Sequence, residues 1–67
     1  MDLGLNIKNA RESAGLTQGE LAERLGTTQI AISRWERNDR TPNVLTFGKL
    51  CEAVGVSADQ LLEIKIG

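Results

Sequence analysis

Two short helical segments joined by a very short turn constrain the fold of this chain more than any other feature. The first follows Thr17, which forms a Thr-x-x-Glu capping box with Glu20, so a helix is predicted to begin directly after this cap and to end before Gly26. A second helix is predicted over about residues 29–37. A connection of about three residues forces two helices to cross steeply. The sequence therefore predicts two crossed helices over about residues 18–37.

The remaining helical signals place one helix before this pair and two after it. Apolar residues at helical spacing predict a first helix that stops at a left-handed Gly15. A fourth helix is predicted to start at Thr41-Pro42, with the threonine as its cap, and to run to Gly55. A Ser-x-x-Gln capping box at Ser57 opens a fifth helix. We therefore predict a compact all-α domain of five helices.

Length and composition narrow the class of protein. A chain of 67 residues holds one hydrophobic core, so residues 1–67 are predicted to form a single domain. With no histidine, no tyrosine and only one cysteine, we expect no enzyme activity, no cofactor and no metal site. The sequence has neither a signal peptide nor an apolar run of the ~20 residues that span a bilayer, so no membrane partner and a cytoplasmic location are expected.

The charge of the chain is segregated along its length. The net charge is −1, which by itself disfavours a polyanionic partner. Residues 24–49, however, carry five basic and two acidic side chains, whereas the segments before and after them are both acidic. A local positive field is therefore expected around the second of the crossed helices.

A resemblance to a known family rests on three stretches of sequence, IKNARESAGLTQGELAERLG, ISRWERNDRTP and LCEAVGVSADQLL. They resemble the helix-turn-helix domain of the phage repressor and Cro family, the xenobiotic-response-element type of regulator, over residues 3–62. The resemblance implies a lambda-repressor-like fold. It also implies a repressor-like transcriptional regulator that binds double-stranded DNA by sequence and reads the major groove with helix 29–37.

One face of helix 29–37 is predicted to point outward. At ~100° per residue, Ile32 and Trp35 point together towards the core. On the opposite face, Ile30 is either a stray surface residue or a contact for a thymine methyl group, and the planar fork of Arg34 suits guanine. The resembling family reads bases from the positions of this outward face, which are Gln29, Ile30, Ser33 and Arg34.

Phosphate contacts are predicted around the same helix. Gln18 and Thr28 lie at helix N-termini, where free amide groups and the helix dipole favour an anion. The loop after residue 36 carries two arginines, which are alternatively plain solvated charges beside Asp39. The residues predicted to contact the DNA backbone are Gln18, Thr28, Arg37, Asn38, Arg40, Thr41 and Asn43.

Three further residues are predicted to have structural roles. Arg11 lies on the apolar stripe of the first helix and therefore needs an acceptor. Glu36 is its natural partner, and the resembling family commonly pairs these two positions, so we predict an ion pair that also orients Arg11 near a phosphate. Asn38 is predicted to adopt the left-handed backbone conformation.

A second copy of the chain is expected on the same DNA. One small domain buries little surface on a half-site, which favours a homodimer on a palindromic operator. Two alternatives remain open. In the first, the chain is an antitoxin or another protein-interaction module that binds DNA secondarily, and its acidic ends favour this alternative. In the second, the chain is one module of a longer regulator. The apolar candidates for the dimer contact are Leu45, Leu61, Leu62, Ile64 and Ile66.

Overall fold

The computed structural model describes residues 2–62, and every regular element in that range is an α-helix. The prediction of an all-α fold with five helices is confirmed. None of these helices is both long enough and apolar enough to cross a lipid bilayer. The helices are α1 (Leu3–Ser13), α2 (Gln18–Leu25), α3 (Gln29–Glu36), α4 (Val44–Val54) and α5 (Ala58–Leu62).

Local capping signals set most of the helix boundaries. The Thr17 hydroxyl accepts a hydrogen bond from the Glu20 amide at 3.0 Å, and the Glu20 carboxylate accepts one from the Thr17 amide at 2.9 Å. Ser57 and Gln60 form the same reciprocal pair before α5. Left-handed glycines follow three of the helices, at Gly15, Gly26 and Gly55. Each of these boundaries is predictable from the sequence, because the residues that form a helix cap lie within one turn of the helix end.

Helix α4 begins later than predicted. Its N-cap is Asn43, whose side-chain oxygen accepts from the Thr46 amide at 2.8 Å, and its first helical residue is Val44. The prediction that Thr41 caps this helix was therefore wrong. Asparagine is the stronger N-cap of the two, and its position leaves Pro42 in the loop before the helix and outside the first turn.

All five helices contribute to the core. Each of the first four supplies one fully buried side chain: Ile7, Leu21, Ile32 and Leu50. From α5, Leu61 is only 2% exposed and packs in the same cluster, while its carbonyl oxygen accepts from the Asn6 side chain at 2.8 Å. The prediction that Leu61 makes a dimer contact was therefore wrong, because this side chain is buried within its own chain.

The first turn of α1 lies directly against the C-terminal end of α3. Gly4 is buried at this contact, and a Cβ atom there would lie 2.4 Å from the Glu36 carbonyl oxygen and 2.7 Å from that of Trp35. Only a residue without a Cβ permits so close an approach of two backbones. Gly48, within α4, differs in this respect, since a Cβ there would meet nothing within 4 Å.

The two helical glycines are expected to respond to alanine in opposite directions. Gly4→Ala should destabilise the fold by about 1–3 kcal/mol, because the added methyl group must push α1 away from α3. Gly48→Ala should stabilise it by up to about 1 kcal/mol, because alanine has the higher helix propensity and finds open space. Urea unfolding of both variants measures the difference. Equal changes in the free energy of unfolding would contradict the backbone contact at Gly4.

Candidate nucleic-acid interface

Helix α3 turns one side to the core and the other to solvent. Ile32 and Trp35 are buried, as predicted. Ile30, on the opposite side, is 64% exposed, which places a large apolar side chain in water among polar neighbours. The four residues predicted to read bases share this outward side: Gln29, Ile30 and Arg34 are exposed, and Ser33 is half-buried.

A buried ion pair lies beneath the interface, between α1 and the last residue of α3. The Arg11 Nε donates to Glu36 Oε2 at 2.6 Å, and Nη2 donates to Oε1 at 3.2 Å. The two side chains are only 10% and 4% exposed, and Arg11 Nη1 also donates to the Leu16 carbonyl at 2.8 Å. Its hydrogen bonds to Glu36 raise the pKa of Arg11. Both charges are therefore held in a fixed bidentate geometry with little access to water.

Gln18 connects this ion pair to the outward face of α3. Its Nε2 donates to Glu36 Oε1 at 3.0 Å, and its Oε1 accepts from Gln29 Nε2 at 3.5 Å. Gln18 and Gln29 also line an open groove of about 610 Å³ between the end of α1 and the start of α2. The amide of Gln18, predicted to contact phosphate, therefore lies between the buried ion pair and Gln29, a candidate for base reading.

Two of the predicted phosphate-contacting residues cap helices. Thr28 caps α3, where its hydroxyl oxygen accepts from the Ala31 amide at 3.2 Å, and Asn43 caps α4. A hydroxyl that accepts can still donate, and the Nδ2 group of a capping asparagine carries two donors of its own. Both exposed residues therefore keep donors for an anion while they fix the ends of their helices.

The loop between α3 and α4 carries the remaining basic candidates. Arg37, Arg40 and Thr41 are exposed. The Arg37 Nε lies 3.4 Å from Asp39 Oδ2, and the two side chains are 62% and 59% exposed. Because the pair is exposed, its interaction is weak, and Arg37 can readily exchange Asp39 for another anion. The amides of Asp39 and Arg40 both donate to the Arg34 carbonyl, which folds the loop back onto the end of α3.

Asn38 makes side-chain contacts within the protein that the sequence did not predict. Its backbone is left-handed, with φ of 63°, as expected for asparagine at this point. Its side chain, however, accepts from the Gly4 amide at 2.9 Å and donates to the Asp2 carboxylate at 2.8 Å. The Asn38 Nδ2 group has a second hydrogen and the residue is exposed, so the predicted phosphate contact stays a prediction beside these internal bonds. Sequence reasoning missed the internal bonds because both partners lie more than thirty residues away.

The apolar candidates for a dimer contact differ in their exposure to solvent. Leu45 is 81% exposed, and Leu62 is half-buried. Leu62 lines an apolar groove together with Leu3, Pro42, Val44 and Phe47. Val44, which the sequence reasoning missed, is 89% exposed beside Leu45. The other two candidates, Ile64 and Ile66, lie outside the described residues.

A helix-turn-helix family profile matches residues 7–61, which is most of the chain. The chain belongs to this helix-turn-helix family. The family assignment confirms the resemblance that the sequence motifs predicted. The residues matched include all of α2, α3 and α4 together with most of α1.

Proteins similar to this chain include transcriptional regulators and an antitoxin. The regulator ImmR of Bacillus subtilis strain 168 is 44% identical over 62 residues, which cover 92% of this chain and 49% of ImmR. The chain thus spans about half the length of ImmR. The antitoxin HipB of Escherichia coli K12 is 35% identical over 51 residues, which cover 76% of this chain and 58% of HipB.

A solved structure of similar fold contains DNA. The crystal structure of the phage P22 c2 repressor in complex with a synthetic operator matches with a TM-score of 0.85 and 31% identity. The match covers 91% of this chain and 92% of the repressor chain. The predicted fold class is therefore shown at the level of three-dimensional structure as well as sequence.

The buried ion pair is expected to dominate stability in this region. Glu36→Gln should cost on the order of 3–5 kcal/mol, because it leaves the Arg11 charge buried without a counterion. The matched control is Asp39→Asn in the exposed pair, which should cost less than about 1 kcal/mol. Urea unfolding measures the loss of stability in both variants. A Glu36→Gln chain that is already unfolded without urea would also agree with this prediction. Equal small losses would contradict the importance of burial.

Proposed function

We propose that this chain is a sequence-specific, double-stranded DNA-binding domain of a repressor-like transcriptional regulator. It acts by occupying an operator in the cytoplasm and not by catalysis. The observation that carries the proposal is the outward face of α3, where Gln29, Ile30 and Arg34 are exposed and the large apolar side chain of Ile30 is 64% exposed. An eight-residue helix that projects such a face fits the major groove of DNA.

The side chains of this face suit different base edges. Arg34 has the fork that bonds the two major-groove acceptors of guanine. Gln29 suits adenine, and the methyl groups of Ile30 suit the thymine methyl. The Gln29 amide lies 3.5 Å from Gln18 Oε1 in an exposed contact, so it can leave this contact for a base edge.

Contacts to the DNA backbone surround α3 on both sides. Gln18 and Thr28 supply donors at the starts of two helices. On the other side, the loop after α3 supplies Arg37 and Arg40, with Thr41 and Asn43 as further donors. Arg37 exchanges its weak pairing with Asp39 for a phosphate. These contacts set register and affinity, while the face of α3 sets specificity.

A homodimer on a palindromic operator follows from the size of the domain and from its apolar surface. Val44 and Leu45 are strongly exposed, and Leu62 lies in the neighbouring apolar groove. A second copy that covers these side chains removes apolar surface from water and places two α3 helices on one duplex.

An antitoxin role is the second candidate function. The specific observation in its favour is the similarity to HipB, together with the acidic segments at both ends of the chain. In this alternative the apolar and acidic surfaces bind a partner protein and DNA binding is secondary. The parent chain binding no duplex at low salt, even from a random pool, would favour it over the repressor-like function.

Two arginines are expected to differ in how their loss affects DNA binding. Arg34→Ala should cost about 1–3 kcal/mol on the preferred operator and relax the preference at one base pair per half-site, because Arg34 bonds a base. Arg40→Ala should weaken binding to all duplexes alike and lower the log–log salt slope by about one unit, because Arg40 bonds a phosphate. Titrations against specific and scrambled duplexes at several salt concentrations measure both. Equal losses on the two duplexes for Arg34→Ala would assign it to phosphate.

The dimer contact is expected to depend on Leu45. Leu45→Lys should weaken self-association by about tenfold or more, because a charge replaces apolar surface at the contact, while the helical signal persists since this side chain is exposed. Leu5→Lys is the matched control, because Leu5 is also an exposed leucine but lies on α1. Sedimentation equilibrium measures both. Self-association that is unchanged by Leu45→Lys, or weakened equally by both, would exclude this surface.

A further inference from the structure

The first residues of the described chain are tied to the loop that follows α3. The Asp2 Oδ1 accepts two hydrogen bonds, from the Leu5 amide at 2.9 Å and from Asn38 Nδ2 at 2.8 Å. The Asn38 Oδ1 accepts from the Gly4 amide at 2.9 Å. We name this set of bonds among Asp2, Gly4 and Asn38 the clasp. Asn38 lies more than thirty positions from Asp2 and Gly4 in the sequence, so the clasp is a tertiary link and not a local cap.

The clasp does more than cap a helix. Asp2 already caps α1 through Leu5, so that helix does not require Asn38 in order to begin. What the Asn38 side chain adds is a fixed position for the loop, because Asn38 lies between Arg37 and Arg40. The adjoining contact of Gly4 with the Glu36 carbonyl leaves no space for the loop to shift towards α1.

We propose that Asn38 is a positioning residue for DNA binding, which holds Arg37 and Arg40 in register with the phosphate backbone through its bonds to Asp2 and Gly4. This inference rests on the proposed DNA-binding function. An arginine on an unrestrained loop must lose conformational entropy when it binds a phosphate, whereas a clasped loop has already lost most of it in folding. The clasp therefore affects affinity for every duplex and leaves the choice of base unchanged.

Three substitutions distinguish this positioning role from a direct phosphate contact and from an effect of charge. Asn38→Gly deletes the side chain and keeps the left-handed backbone. Asp2→Gly deletes the acceptor, whereas Asp2→Asn removes the same charge but keeps an oxygen that caps α1 and accepts from Asn38. The comparison of Asp2→Gly with Asp2→Asn therefore removes the clasp and the α1 cap together at constant net charge, and the same comparison in the Asn38→Gly background, where the clasp is already absent, measures the cap alone.

Titrations with specific and scrambled duplexes at several salt concentrations provide the first test. Relative to the parent, Asn38→Gly should bind both duplexes about fivefold to tenfold more weakly, the loss expected for one ordinary hydrogen bond. Its log–log salt slope should fall by up to about one unit. Asp2→Gly should show the same loss relative to Asp2→Asn. In the Asn38→Gly background the two Asp2 variants should bind equally, because the interaction between the sites is gone.

Amide hydrogen exchange provides a test that does not require DNA. The Asp39 and Arg40 amides donate to the Arg34 carbonyl and therefore report the order of the loop. They should exchange faster in Asn38→Gly than in the parent, and faster in Asp2→Gly than in Asp2→Asn. A parent chain that binds no duplex would defeat the proposed function, and exchange would still decide whether the clasp orders the loop.

Three results would overturn the inference. If Asn38→Gly weakens binding while Asp2→Gly binds as Asp2→Asn does, Asn38 contacts the phosphate itself. If melting temperatures fall while affinity and salt slope stay unchanged in fully folded variants, the clasp serves stability alone. If loop amides exchange at the same rates in all four chains, the clasp does not order the loop.

Discussion

The arrangement of the first three helices depends on the buried pair of Arg11 and Glu36. Hydrophobic contacts are non-directional and tolerate many relative orientations of two helices. A guanidinium that bonds both oxygens of a carboxylate tolerates one orientation, and burial makes departure from it costly. The same carboxylate also accepts from Gln18, and the same guanidinium donates to the turn at Leu16. One ion pair thus fixes α1, α2 and α3 relative to one another.

This constraint explains how so short a helix can present a fixed face. An isolated helix of eight residues is unstable in water, so α3 gains its order from tertiary contacts. At its start, Gln29 is bonded to Gln18. At its end, the backbone lies against Gly4, and the following loop is held by Asn38. The backbone that carries the outward side chains is therefore held near both of its ends.

What the sequence could predict depended on the distance between interacting residues. The capping boxes at Thr17 and Ser57 and the left-handed Asn38 were predictable, because residue type and neighbours within one turn decide them. The start of α4 was mispredicted because two capable caps lie close together. Leu61 was misassigned because apolarity alone does not distinguish a core residue from a contact surface. The side-chain role of Asn38 depends on the fold itself, which brings Asp2 and Gly4 to it.

The ion pairs also explain how a chain of net charge −1 can present a positive surface. Residues 24–49 contain two carboxylates, on Glu36 and Asp39, and both are paired with arginine. Glu36 is neutralised by Arg11, which lies outside this segment, so this pairing uses none of the positive charges within the segment. In solvent the field of a charge decays over a Debye length of about 8 Å at physiological salt. In the proposed function, a phosphate near residues 24–49 therefore responds to the net charge of +3 of that segment more strongly than to the total charge of the chain.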